Sequence, residues 1–445
     1  MVSKSTVKEV LDISLPAVGE ATVYTLMSMF DIMMIGNYGG NKAVSVVGIS
    51  NEILYTCVNT FIAIGICIGI TSFVSRSIGA RRSNIAEEYA SIGFTVGVFL
   101  SIIVCYFLFK FSEPILHYAG ARGGILALSN IFTRITIIAV FFNMLINVIS
   151  SILRGYGNTF TPFIVSILIA IIKLILDWLL IFGIIVPEMG VIGSAIASVF
   201  SQIVGFIFIF SYLTFRSKVK IKIKYILRLR MDKVKRLLML SLPSSMEEAA
   251  FSLSRLLCTF IIMRAGTVAF AANQIANTVE SVSFMPGMGF GVAATTLVGM
   301  KIGERNYKKA REYTYACAFG AVIMMSVFGI IFLLMPSVLV NLFVGDEEKR
   351  VIYLASLCLF VGAFEQPSIA MSSVFAGALK GAGDTKSPFI ISLATSWIIR
   401  LPLILYFVYI LKLSVIYVWW VTVLQWGLDA ILMYTCFERK VLSSD

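Results

Sequence analysis

Charge is what this sequence has least of. Asp, Glu, Lys and Arg make up 13% of its 445 residues, about half the share in an average soluble domain. A soluble chain of this length needs far more polar surface, so a soluble enzyme, a DNA-binding domain and a disordered chain are excluded. Histidine is nearly absent. The lone His117 falls in a connection, which excludes a histidine-based metal site. Cys57, Cys67, Cys105, Cys258, Cys317, Cys358 and Cys436 are odd in number, never closely paired, and nearly all inside apolar runs. They read as small apolar fillers, not as disulfides or metal ligands. No P-loop spacing occurs anywhere, so no ATP site is expected. With no cofactor expected either, energy for any work must come from an ion gradient.

What is present is apolar. Hydrophobic residues make up 59% of the chain, and a membrane helix needs about 20 of them in a row. Twelve runs meet that length, approximately 13–36, 46–74, 90–112, 129–153, 161–185, 190–213, 238–265, 273–300, 314–335, 351–378, 386–410 and 415–437. They are too long and continuous for the alternating pattern of a membrane barrel. The expected fold is therefore an all-α polytopic membrane protein of twelve transmembrane helices. Lys4, Lys8, Glu9 and Asp12 precede the first run with no small-residue cleavage site after it, so no removable signal peptide is expected.

Basic residues orient the chain. If the N-terminus is cytoplasmic, the cytoplasmic connections hold 25 Lys and Arg and the outer ones six. That asymmetry places both termini inside a cell or plasma membrane. The connection 214–237 alone carries ten of them, from Arg216 to Arg236. It reads as a topology anchor touching anionic membrane lipid, with no nucleic-acid partner.

The chain also repeats itself. Ser14-Leu15-Pro16 and Glu20 return as Ser241-Leu242-Pro243 and Glu247. Ile78-Gly79-Ala80-Arg81 returns as Ile302-Gly303-Glu304-Arg305. Leu153-Arg154-Gly155-Tyr156-Gly157-Asn158-Thr159 returns as Leu379-Lys380-Gly381-Ala382-Gly383-Asp384-Thr385. The offsets are 227, 224 and 226 residues, and six spans separate the copies. An even number means parallel repeats, the plan of a two-lobed transporter. The expected organisation is a six-helix lobe over 1–213, a basic linker over 214–237 and a second six-helix lobe over 238–445. In the Gly-x-Gly turns, glycine permits positive φ and the following Asn or Asp caps the next helix.

Charged side chains inside spans cost several kcal/mol unless paired or hydrated, so each is a functional candidate. Asp31, Asp177 and Ser198 fall at similar estimated depths in spans one, five and six. Glu20 shares a face of span one with Asp31, and Pro16 is expected to kink that span. Lys173 lies one turn before Asp177, either neutralising it or acting as a tethered cation that competes with a transported ion. In the second half, Glu247, Glu280 and Glu365 are the further candidates. Depth matching predicts two ion pairs there, Arg255 with Glu280 and Arg400 with Asp429.

These residues, with Phe30-Asp31-Ile32-Met33-Met34-Ile35-Gly36, Leu176-Asp177 and Glu280-Ser281-Val282-Ser283-Phe284-Met285-Pro286-Gly287, resemble the multidrug and toxic compound extrusion (MATE) family of the MOP superfamily over nearly the whole chain. The resemblance implies a secondary exporter that exchanges H⁺ or Na⁺ for amphipathic, often cationic drugs by alternating access, as a monomer and without enzymatic activity. It implies that Asp31 is the coupling carboxylate, that Asp177 and Ser198 complete its site, and that Pro16 is where span one bends. Lys173 stands where the family often has a sodium-binding Asn. Ile369 stands at the family's second-lobe Asp, with Glu247 and Glu365 about a turn from the matching acids. These departures favour H⁺, taken up by Asp31 at a distance from Lys173, with Asp177 kept ionised by Lys173. The alternative within the superfamily is a lipid-linked oligosaccharide flippase, against which the acids of spans one and five argue. A non-transporting scaffold would leave those acids unexplained.

Overall fold

The computed structural model describes residues 3–58, 60, 65–183, 187–264, 266–342 and 348–442, and among them it is helical with no strand. In chain order the helices are α1 (Lys4–Val58), α2 (Cys67–Gly79), α3 (Ser83–Tyr118), α4 (Gly123–Gly155), α5 (Phe160–Ile181) and α6 (Gly190–Phe215). Then follow α7 (Ile223–Leu227), α8 (Met231–Arg264), α9 (Thr267–Ser281), α10 (Phe284–Gly303), α11 (Tyr307–Leu334) and α12 (Pro336–Asn341). The chain ends with α13 (Lys349–Gly362), α14 (Gln366–Ala382), α15 (Lys386–Ile410, with π-helical turns) and α16 (Ile416–Leu442).

Eight of the described helices are long and apolar enough to cross a membrane, and ten if each bent pair counts as one span. The bent pairs are α9 with α10, at 46°, and α13 with α14, at 51°. Two expected spans do not meet that test. The one at 46–74 contains residues 59 and 61–64, which lie outside the described residues. The one at 238–265 lies in α8, whose Glu247, Glu248 and Arg255 lower its hydropathy. Six of the cysteines are free. The side chain of Cys57 lies outside the described residues.

Helix ends follow the sequence signals in both repeats. Gly157 and Gly383 take φ of 90° and 91°, the left-handed turn that only glycine adopts without strain. Asn158 Oδ1 then accepts the Thr161 N–H at 3.0 Å, and Asp384 Oδ1 accepts the Ser387 N–H at 3.1 Å. The backbone stays helical through Pro16, and the break recorded in α1 is instead at Gly40 (φ 56°, ψ −152°).

The described chain divides into two compact units, Gly19–Ser245 and Met1–Val18 with Met246–Asp445. The boundaries in α1 and α8 are 227 residues apart, the same offset as the repeat. The start of each long helix is thus built into the unit of the other repeat. In the second unit, Val10 is buried in the cluster around Phe290 and Leu297. Glu312 there accepts the Ser3 N–H at 2.9 Å and the Thr6 hydroxyl at 2.8 Å. In the first unit, Leu237 is buried with Ile70 and Val74, and Lys233 pairs with Glu88 at 2.5 Å. Glu88 and Glu312 are counterparts at offset 224. Glycines seat the exchanged segments in both units. A Cβ on Gly65 would meet Ser245 Oγ at 2.1 Å, and one on Gly289 would meet the Val18 backbone N at 2.6 Å.

Each unit also has one close helix seam. The Thr71 hydroxyl bonds the Ser151 carbonyl at 3.0 Å, and its counterpart Thr295 bonds the Gly377 carbonyl at 2.9 Å. Small residues let these backbones approach. A Cβ on Gly377 would lie 2.3 Å from the Gly291 carbonyl oxygen, and one on Gly381 would lie 2.4 Å from that of Thr295. Backbone oxygens cannot swing aside as a side chain can. Gly381→Val is therefore expected to cost about 1–3 kcal/mol or more, read as a lowered thermal midpoint of the detergent-solubilised protein. An unchanged midpoint would refute the seam.

Candidate functional site

The first unit gathers four polar side chains from three helices into an apolar interior. α1 supplies Asp31, α5 supplies Lys173 and Asp177, and α6 supplies Ser194. All four are buried, Asp177 and Ser194 completely. The i,i+4 spacing on α5 puts Lys173 Nζ 2.7 Å from Asp177 Oδ2. The same nitrogen lies 3.1 Å from Asp31 Oδ1 and donates to Ser194 Oγ at 3.4 Å. The Ser194 hydroxyl donates to Asp31 Oδ1 at 2.8 Å. Asp177 Oδ1 is buried with no partner.

Two carboxylates and one ammonium leave the ionised cluster one positive charge short. Burying an uncompensated charge is costly, so the site favours capture of one more proton or cation. The open oxygen of Asp177 is where that charge is least satisfied.

Two expectations are corrected here. Asp31 is not remote from Lys173, because the lysine lies between the two acids and binds both. The serine in the cluster is Ser194, not Ser198, whose hydroxyl is bonded to the Ser194 carbonyl of its own helix at 3.0 Å. Ser194 precedes Ser198 by one turn on the same face, and that spacing is the sequence signal that could have found it.

The other candidates go elsewhere. Glu20 sits 11 residues before Asp31, about 16 Å along the helix, and pairs with Arg154 at 2.6 Å. Its counterpart Glu247 pairs with Lys380 at 2.9 Å, the basic residue matching Arg154. Each repeat therefore ties its first long helix to the glycine turn by one ion pair.

Neither ion pair expected in the second half forms. Asp429 accepts the Thr395 hydroxyl at 2.9 Å and is also bonded by Ser372, while Arg400 lies over the Phe251 ring, 5.9 Å from its centroid. Glu280 accepts from Gln366 Nε2 at 3.1 Å and lies beside Glu365, not Arg255. Arg255 instead acts on Glu248. Depth along a span was right as far as it went, but the helices are rotated so that hydroxyls and an amide meet these acids. Among the described residues, no group of three or more His, Cys, Asp and Glu side chains could hold a metal ion.

Comparison with known proteins agrees with this architecture. A family model described as MatE matches residues 16–179 and again 243–406, two copies set 227 residues apart. A probable multidrug resistance protein NorM from Thermotoga maritima is 30% identical over 414 residues, covering 93% of this chain and 88% of that protein. An outward-facing structure of a multidrug resistance MATE family transporter of the MOP superfamily superposes with a TM-score of 0.92 at 20% identity, covering 99% of this chain and 97% of the other. A MATE crystal structure in complex with MaL6 gives a TM-score of 0.91 at 21% identity, over 99% and 97% of the two chains.

Proposed function

We propose, from the premise that this chain belongs to the MatE family of multi-pass membrane transporters, that it is a proton-driven multidrug exporter acting on amphipathic, often cationic small molecules. Members of that family are not enzymes, and they have twelve helices in two repeats. The observation that carries the proposal is the buried Asp31–Lys173–Asp177–Ser194 cluster, one positive charge short when ionised.

Only one further positive charge is wanted there, so a proton and a cationic drug compete to satisfy it. Exchange needs such a preference, because each conformational state must favour one ligand over the other. In the proposed cycle a proton arrives from the outer side and settles on the acid pair. Lys173 then bonds the carboxylate that remains ionised, and the Ser194 hydroxyl turns to follow it. A cationic substrate loses its hold and leaves. The proton is released inward when the site faces the cytoplasm, which under this orientation also holds both termini.

Lys173 is the reason for choosing the proton over Na⁺. Its ammonium already stands among the oxygens that a sodium ion would need, and it repels a second cation of fixed charge more than it opposes protonation of one acid. Pro16 lies two residues before the point where α1 passes from one unit to the other. Its missing N–H weakens the helix there, which suits a hinge.

The reading is tested with purified protein in proteoliposomes, loaded with a cationic dye and given either a proton gradient or a Na⁺ gradient at clamped pH. Accelerated dye movement under the proton gradient alone is expected. Movement that follows the Na⁺ gradient and ignores pH would overturn the proton assignment. No movement under either would overturn ion-coupled transport of such substrates.

A further inference from the structure

The second unit holds two buried acids that the first-unit cluster does not account for. The repeat shows how they came to be placed. At offset 227, Lys173 corresponds to Arg400, whereas Asp31 and Asp177 correspond to Cys258 and Ile404. The basic residue is kept and both of its acids are gone. Acids return from different elements, at the two points where spans of this unit are broken. Glu280 is in the last turn of α9, just before the 46° bend into α10, and Glu365 lies in the 51° bend between α13 and α14.

The breaks bring these carboxyl groups within hydrogen-bond reach of each other. Glu280 is 5% exposed, Glu365 2% and Gln366 not at all. Gln366 Nε2 donates to Glu280 Oε1 at 3.1 Å and to the Gly362 carbonyl at 3.2 Å, so the amide end is held against the pair. Its other atom, Gln366 Oε1, is buried without a partner, as is Glu365 Oε2. Room for the arrangement depends on Gly362, where a Cβ would lie 2.7 Å from the Trp419 ring and 3.6 Å from Glu280 Oε1.

Charged neighbours do not neutralise the pair. Arg400 faces it from α15, and its field reaches both acids, yet it forms no ion pair with either, and its buried Nε has no partner. From α8, Arg255 acts on Glu248. From α16, Asp429 is taken by Ser372 and Thr395. Two touching carboxyl groups in a dry interior cannot both stay ionised. Broken transmembrane helices are where transporters commonly hold their coupling ions, because the carbonyl ends of half-helices favour positive charge.

We infer that Glu280 and Glu365 form a second proton site, a carboxyl–carboxylate pair that shares one proton at neutral pH and is separate from the Asp31–Lys173–Asp177 cluster. The proton bridges one oxygen of each acid, no metal is required, and the Gln366 amide orients Glu280 to receive it. Its role in driving export rests on the proposed proton-coupled reading, whereas the presence of the proton does not.

The test reads the proton without transport. The purified protein in lipid nanodiscs is stepped through pH while infrared difference spectra record the stretch of protonated carboxyl groups. A protonated-carboxyl band is expected at neutral pH, lost in Glu280→Gln and in Glu365→Gln, and retained in Asp31→Asn. In either glutamine variant the new amide donates to the remaining carboxylate, which then needs no proton. Absence of the band from the wild type, which needs no variant to fold, would overturn the inference. Its persistence in both glutamine variants, with folding checked by size-exclusion profile, would do so too. Loss of the band on adding Na⁺ but not K⁺ would show a sodium site and overturn it as well. If the band behaves as expected while dye transport follows only Na⁺, the site stands and the coupling reading falls.

Discussion

Cells expressing the Asp31→Asn variant are expected to be as drug-sensitive as cells carrying an empty vector, with the variant present in the membrane at the wild-type level. The substitution keeps the shape of the side chain and an oxygen that the Ser194 hydroxyl can still bond. It removes one negative charge, so Lys173 and Asp177 now balance and the cluster no longer lacks a cation. Removing one partner from a buried charged group changes its balance by about 3–5 kcal/mol. That corresponds to roughly 100-fold or more in affinity for a proton or a cationic drug. Proton-gradient-driven dye transport in proteoliposomes should fall by a comparable factor. Asp177→Asn should act in the same direction, since it removes the open oxygen itself. Wild-type transport rates in both variants would remove the cluster from the mechanism.

Replacing the lysine should have the opposite electrostatic effect. Lys173→Met leaves Asp31 and Asp177 buried in one site with no positive charge between them. The expected cost is again about 3–5 kcal/mol while both acids are ionised, seen as a lower thermal midpoint at neutral pH. The sign of its pH dependence follows. Protonating either acid relieves the repulsion, so the variant should regain stability as pH falls and lose it as pH rises. Lys173→Asn supplies an oxygen in place of the ammonium. In that variant Na⁺ should restore the midpoint and a Na⁺ gradient should drive dye transport, neither of which is expected of the wild type. A Lys173→Asn protein that stays indifferent to Na⁺ would show that the lysine does not occupy a cation's place.

Some of this site was legible from spacing alone. Lys173 and Asp177 are four residues apart on one helix, and helix geometry requires them to meet. Asp31 was singled out because an ionisable group in an apolar span needs a reason. The choice of Ser198 over Ser194 missed by one turn. Both serines lie on the same face of α6, and only the height of α6 against α1 and α5 decides which of them meets Asp31. The two ion pairs expected in the second half failed for a related reason. Residue counting measures depth along a helix, but rotation about its axis decides whether an arginine at that depth points to an acid or to the Phe251 ring.

The sequence by itself determined the apolar helical class, the parallel repeat and the glycine turns with their caps. Those features depend on composition and on contacts a few residues apart. Its matched motifs also located the ion pairs Glu20–Arg154 and Glu247–Lys380 as repeat counterparts once either was known. Tertiary structure alone decided that the start of α1 belongs with the second repeat and the start of α8 with the first. A continuous helix carries no local mark of the unit it packs against, and only the glycine seats at Gly65 and Gly289 and the clamps at Glu88 and Glu312 show it. Tertiary structure likewise decided that Lys173 bridges two acids and that Glu280 and Glu365 meet. In each case the partners lie on different helices, and their meeting depends on helix rotation and on bends that the one-dimensional pattern does not encode.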